Sequence, residues 1–114
     1  MADKVLRIGG ASGFWGDAAR STAQLLNVAG LDYLVYDYLA EITMSIMQKQ
    51  RARDPRAGFA RDFIAQVEDT LPLLVERGTR VISNAGGVNP LACRAALLAM
   101  AQSHGRPIEV AAVV

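Results

Sequence analysis

Lys4-Val5-Leu6-Arg7-Ile8-Gly9-Gly10-Ala11-Ser12-Gly13-Phe14-Trp15-Gly16-Asp17 is the stretch that decides how the chain is read. Val5, Leu6 and Ile8 form a short apolar run that stops at two glycines, which is the pattern of a buried strand over residues 4 to 8. A glycine-rich loop from Gly9 to Gly16 follows. Asp17 then stands where it caps a helix running to Ala29, with Gly30 just past its end and Leu25, Leu26 and Val28 toward the sheet. Strand, glycine loop and helix make the opening unit of a parallel α/β fold.

The remainder of the chain repeats that alternation. Tyr33 to Tyr36 reads as a second strand, and Leu39, Ile42, Thr43, Ile46 and Met47 recur at the spacing of an amphipathic helix that stops near Asp54-Pro55. Phe59, Phe63, Ile64, Val67, Leu71 and Leu74 continue the helical period; Pro72 is expected to kink or restart that helix, and Gly78 to end it. Thr79 to Ser83 reads as a third strand. Asn89-Pro90 supplies an N-cap and a first-turn proline for a helix presenting Cys93, Ala96, Leu97 and Met100 on one face and closing at His104-Gly105. Ile108 to Val114 reads as a fourth strand. The expected architecture is a single α/β segment, a parallel sheet of about four strands with helices on both faces, Rossmann-like or flavodoxin-like. An apolar last strand with an uncovered edge implies a homo-oligomer or the front part of a longer protein.

Composition narrows the function classes. With 114 residues, 52% of them apolar and 20% charged, the chain is a globular domain and not a disordered tail. A net charge of +1 gives no electrostatic footprint for nucleic acid or an anionic membrane. The longest uncharged stretch, Val81 to Cys93, is 13 residues, too short to span a bilayer. Asp3, Lys4 and Arg7 interrupt the start before any run of signal-peptide length, and one cysteine forms no internal disulfide, so a reducing cytoplasm is the expected address. One Cys and one His make no zinc cluster, and no cofactor is specified.

In parallel α/β folds ligands gather at the carboxyl ends of the strands, which places the candidate site on three loops. In the first, Gly10, Ser12 and Gly13 allow close backbone approach, the helix start at Asp17 offers N–H groups to an anion, and Trp15 is either a ligand platform or a core plug. A tight connection that needs glycine for geometry alone is the competing reading. In the second loop, which also carries Tyr38, Asp37 and Glu41 stand four residues apart and suit divided acid and base roles or a ligand hydroxyl; either could instead cap the next helix. In the third, Asn84 offers a donor and an acceptor and is expected to hold few internal partners. Gly86 and Gly87 admit a ligand to the backbone, and Asn89 caps the helix toward the same crevice. Asp37, Glu41 and Asn84 are the catalytic candidates. Cys93 reads as a small core residue, His104 as a surface or capping residue, and Lys49, Arg51, Arg53 and Arg56 as a solvated helix end.

Two families share lettering with these loops. Gly9 to Gly13, with Asn84-Ala85-Gly86 and Asp37, resembles the nucleotide-binding Rossmann domain of short-chain dehydrogenases. Phe14 and Trp15 add a residue before the last glycine, however, and that family's catalytic Tyr-x-x-x-Lys has no counterpart. The longer resemblance is to the N-terminal portion of the acyclic terpene utilisation (AtuA) family, carried by three blocks in order: Arg7 to Asp17, Leu31 to Met44, and Ser83 to Pro90. That resemblance implies a cytoplasmic protein that is longer in its relatives and is found with enzymes of terpenoid and acyl-CoA catabolism. It further implies a small-molecule ligand, an acyl-CoA or branched carboxylate, at the strand-end loops. The alternative from another class is a non-catalytic ligand-binding or assembly module.

Overall fold

A computed structural model describes residues 4–13, 20–27 and 30–114. Within them the sheet has three parallel strands, β1 (Ile8–Ser12), β2 (Tyr33–Tyr36) and β3 (Arg80–Ser83), with β2 in the centre. Ile8, Tyr33 and Arg80 are level at one end, and Ser12, Tyr36 and Ser83 at the other, with one slip in register between Gly10 and Ser12. All three carboxyl ends therefore open on one edge, as the α/β reading requires. The first strand lies later than its apolar run: Val5 and Leu6 are exposed, while Gly9 and Ala11 face inward. Packing decides this. A Cβ on Gly9 would stand 3.3 Å from Leu25 Cδ2, so the missing side chain is what lets a helix lie close on the strand. Gly9, Gly10 and Ser12 are thus strand residues, and the connection begins at Gly13.

Four helices accompany the sheet among the described residues: α1 (Ser21–Leu26), α2 (Glu41–Arg53), α3 (Arg61–Arg77) and α4 (Pro90–Ser103). The helix expected from Asp17 to Ala29 is shorter, running from a cap at Arg20 to a cap at Asn27, and residues 14–19 and 28–29 lie outside the described part. In α3, Phe63, Val67, Leu71 and Leu74 are buried as their spacing predicts, and Gly78 ends the helix in the left-handed conformation at φ 65°. Pro72 does not break it. The proline and Glu68, whose carbonyl loses its partner, share the water-facing side, where the lone carbonyl is solvated.

Three expectations are corrected. Residues Ile108 to Val114 form no strand: Ile108 and Val110 rest on the core and Arg94 Nε donates to the Val110 carbonyl, but no backbone ladder joins this segment to the sheet. Alternating apolar residues make an extended segment half-buried, and only an aligned neighbouring backbone makes it a strand. Among the described residues, helices also do not cover both faces. Gly9, Leu34, Tyr36 and Val81 line the face packed by α1, α3 and α4, whereas Ile8, Val35 and Ile82 line the other, where Ile8 is 62% and Ile82 54% exposed. Finally, the apolar stripe of α2 stays largely in water, with Ile42 76% exposed and only Met47 buried.

Met47 marks the contact that fixes the site's neighbourhood. Residues 54–60 lie against the β3–α4 loop: Ala60 N–H donates to the Ala85 carbonyl at 2.8 Å, and Val88 N–H to the Gly58 carbonyl at 3.0 Å. Gly58 (φ 103°) and Gly87 (φ 54°) both hold backbone conformations that side chains resist. A Cβ at Gly87 would run into Met47 Sδ and stand 2.7 Å from the Gly58 carbonyl. Gly87→Ala is therefore expected to cost about 1 kcal/mol or more, read as a lower urea midpoint. Gly10, whose Cβ would meet nothing within 4 Å, accepts alanine within about 0.5 kcal/mol. Equal midpoints for the two variants would refute this account of the loop contact.

Candidate functional site

The strand-end edge is built around Asp37, the residue after β2. Its N–H donates to the Ser12 carbonyl at 3.1 Å and its own carbonyl accepts from the Ser12 hydroxyl at 3.4 Å, tying it to the end of β1. On the other side stands Asn84, the residue after β3. Its Oδ1 accepts the Tyr38 N–H at 2.9 Å, and its Nδ2 donates to Asp37 Oδ1 at 2.8 Å. Leu39 N–H adds a 3.3 Å bond to the same carboxylate oxygen. Three neighbouring strand ends are in this way tied to one residue, β1 through the Asp37 backbone and the end of β3 through its carboxylate. Asp37 Oδ2 carries no hydrogen bond among the described residues, and one N–H of Asn84 is likewise unspent. Both residues are exposed.

An acceptor and a donor side by side can hold a ligand hydroxyl and a ligand carbonyl together. Asn84 departs from expectation, because its amide already joins two strand ends. Its side chain is structural as well as available.

The other candidates fall in different places. Glu41 is exposed in the first turn of α2, where a carboxylate suits the helix dipole, and no bond joins it to Asp37. Tyr38 is buried, and its hydroxyl accepts from Gln66 Nε2 at 3.2 Å, which turns its ring into the core and not toward a ligand. Asn89 precedes α4 without capping it through its side chain; Nδ2 instead donates to the carbonyls of Pro55 and Ala57, each at 2.8 Å. At Gly86 a Cβ would sit 2.9 Å from Pro90 Cα, and Gly87 is held by the contact with Met47 and Gly58, so packing explains both glycines. Trp15 and Asp17 lie outside the described residues.

Sequence reasoning missed what lies beneath this edge. Thr22 Oγ1 bonds the Tyr36 hydroxyl and Gln66 Oε1, while Thr70 Oγ1 donates to the Gln66 carbonyl at 2.8 Å. Burial raises the Tyr36 pKa above that of an ordinary phenol, more than its bond to Thr22 lowers it. The rings of Tyr36 and Tyr38 lie nearly parallel, and Phe63 meets both edge-on. Gln66 and Thr70 interrupt the apolar stripe of α3, and that interruption was the available signal. Ser83 was missed too: its hydroxyl donates to the Tyr36 carbonyl at 3.1 Å and accepts from Ala85 N–H at 2.9 Å. His104 follows α4 and pairs with Glu68 at 3.2 Å. Among the described residues no group of His, Cys, Asp and Glu is arranged to hold a metal ion, and no helix is long and apolar enough to cross a membrane.

Residues 6–114 match the sequence profile of a family described as acyclic terpene utilisation family protein AtuA. No curated protein and no solved structure gives a match.

Two outcomes are expected from this geometry. Asn84→Ala removes bonds to both Tyr38 and Asp37 and should lower stability by about 1–2 kcal/mol, measured by chemical denaturation; an unchanged midpoint would show that the strand ends do not depend on it. The buried Cys93 thiol is pushed by desolvation from 9.0 up to about 11. A thiol reagent at pH 8 should therefore modify it only on unfolding. Because the folded thiol holds its proton more tightly than the unfolded one, Cys93 makes stability fall as pH rises from about 9 toward about 11. Rapid labelling of the native protein would contradict both statements.

Proposed function

The chain belongs to the AtuA family of acyclic terpene utilisation proteins, and on that premise we propose that its strand-end edge holds the acyl end of a branched acyl-CoA thioester. The observation that carries this reading is the clasp between Asp37 and Asn84 at 2.8 Å, which aims one free acceptor and one free donor at the same exposed edge. The unspent Asn84 N–H donates to the thioester carbonyl. Asp37 Oδ2 accepts from a hydroxyl or another donor on the acyl chain, while Ser12 at the end of β1 and Gly13 just after it border the same edge.

Charge separates the two ligand forms named by the family resemblance. A free carboxylate placed at this edge meets the Asp37 charge, whereas a neutral thioester carbonyl does not. The thioester is therefore the preferred form. A ligand-binding module without turnover is the second reading. It is favoured by how the groups that could attack a thioester are engaged: the Ser12 hydroxyl donates to the Asp37 carbonyl at 3.4 Å, Cys93 is buried in α4 and Tyr38 is turned inward.

Asp37→Asn tests the proposal with little damage to the fold. The amide oxygen can keep the bonds from Asn84 and Leu39, and only the free oxygen becomes a donor. Titration with branched acyl-CoA thioesters and their free acids should show the wild type preferring the thioester. In the variant, thioester affinity should fall about tenfold, which is about 1.4 kcal/mol, and free-acid affinity should rise. Equal affinities for both forms in both proteins would remove Asp37 from any site. Product formation in the same titrations distinguishes an enzyme from a binding module.

A further inference from the structure

We propose that the cleft around Phe59, where α2, α3 and α4 come together away from the Asp37–Asn84 clasp, binds a phosphate-bearing anion. Two hollows of about 490 Å³ each meet at Asp54, Phe59 and Arg61. One opens past Arg53 and Asp62. The other opens past Arg56 toward Ala92, Ala95 and Ala96 of α4.

Charge and hydrogen-bonding capacity select the occupant. Three guanidinium groups border the joined cleft against two carboxylates. Asp54 is already engaged: its Oδ1 accepts the Arg56 N–H at 2.9 Å and lies 3.6 Å from Arg56 Nε, and the backbone bond is the main reason its carboxyl stays below the usual range. The Arg53 side chain has no hydrogen bond or ion pair among the described residues, and the Arg61 guanidinium is held 5.5 Å over the Phe59 ring with its N–H groups unspent. Two unspent guanidinium forks on one cleft match a tetrahedral, multiply charged phosphate better than a planar carboxylate, which one fork satisfies.

The floor of the cleft is fixed in advance. Residues 54–60 are fastened to the β3–α4 loop through Ala60, Gly58 and the Asn89 amide, and Arg51 donates to the Val88 carbonyl at 2.7 Å. Gly58 leaves no slack, since a Cβ there would stand 3.0 Å from Val88 Cγ2. The alanine side of α4 keeps the second hollow open. Of the basic run expected as a solvated helix end, Lys49, Arg53 and Arg56 are exposed while Arg51 is engaged by the Val88 carbonyl, and residues 54–60 bring Arg61 to the same cleft as Arg53 and Arg56.

Inorganic pyrophosphate is the probe, titrated calorimetrically into the full chain in low-salt buffer. The wild type should show saturable binding that weakens at least about tenfold when Arg53→Gln and Arg61→Gln are combined. Both side chains are exposed, so the variant should keep its circular dichroism and its urea midpoint. Arg106→Gln, an exposed arginine outside the cleft, should bind as the wild type does. Absence of saturable binding, or equal weakening by Arg106→Gln, would overturn the proposal by showing either no site or only a general response to charge. Asp37→Asn should leave pyrophosphate affinity unchanged, so failure of the strand-end reading and failure of this one give different results.

Discussion

Two backbone segments, 57–60 and 85–89, approach so closely that neither has room for a side chain where they touch. Gly58 and Gly87 meet there in left-handed conformations, with Met47 filling the remaining space and the amide of Asn89 holding the carbonyls of Pro55 and Ala57. Buried backbone groups must be paired, and here each loop supplies the partners of the other. The consequence reaches both ends of the candidate chemistry. The β3–α4 loop is anchored from one side, which sets where Asn84 stands, and the 54–60 turn is anchored from the other, which sets where Arg53, Arg56 and Arg61 gather.

Beneath the strand-end edge, burial and hydrogen bonding act together. Tyr36 and Tyr38 sink their rings into the core beside Phe63, and their hydroxyls are satisfied by Thr22 and Gln66. Every buried side-chain polar atom among the described residues has a partner, so this polar patch is compatible with a stable core. It also gives the end of β2 a rigid support. Asp37 and Asn84, by contrast, remain exposed, and their mutual bond orients a free acceptor and a free donor without closing the edge to a ligand.

The apolar surface left in water belongs to the same pattern. One face of the sheet is packed by α1, α3 and α4, while Ile8, Val35 and Ile82 line the other. The stripe of α2 is similarly uncovered at Ile42. Periodic apolar residues state that a face exists. They do not state what lies against it.

By itself the sequence determined the alternation of β1 to β3 with helices, the limits of β2, the end of α3 at Gly78 and the family, because these follow from local period, glycine placement and three ordered blocks of residues. It also identified the loops on which Asp37 and Asn84 lie. Tertiary structure decided the rest: β1 begins at Ile8 because Gly9 must pass under Leu25, Ile108 to Val114 lacks a ladder because no strand lies alongside it, and Tyr38 and Asn89 turn inward because Gln66, Pro55 and Ala57 need their polar groups. The physical reason is common to all of them. Period and propensity act over a few neighbouring residues, whereas strand pairing, close approach and the partner of a buried polar group depend on residues 16 to 46 positions away, as with Gly9 and Leu25 or Tyr38 and Asn84.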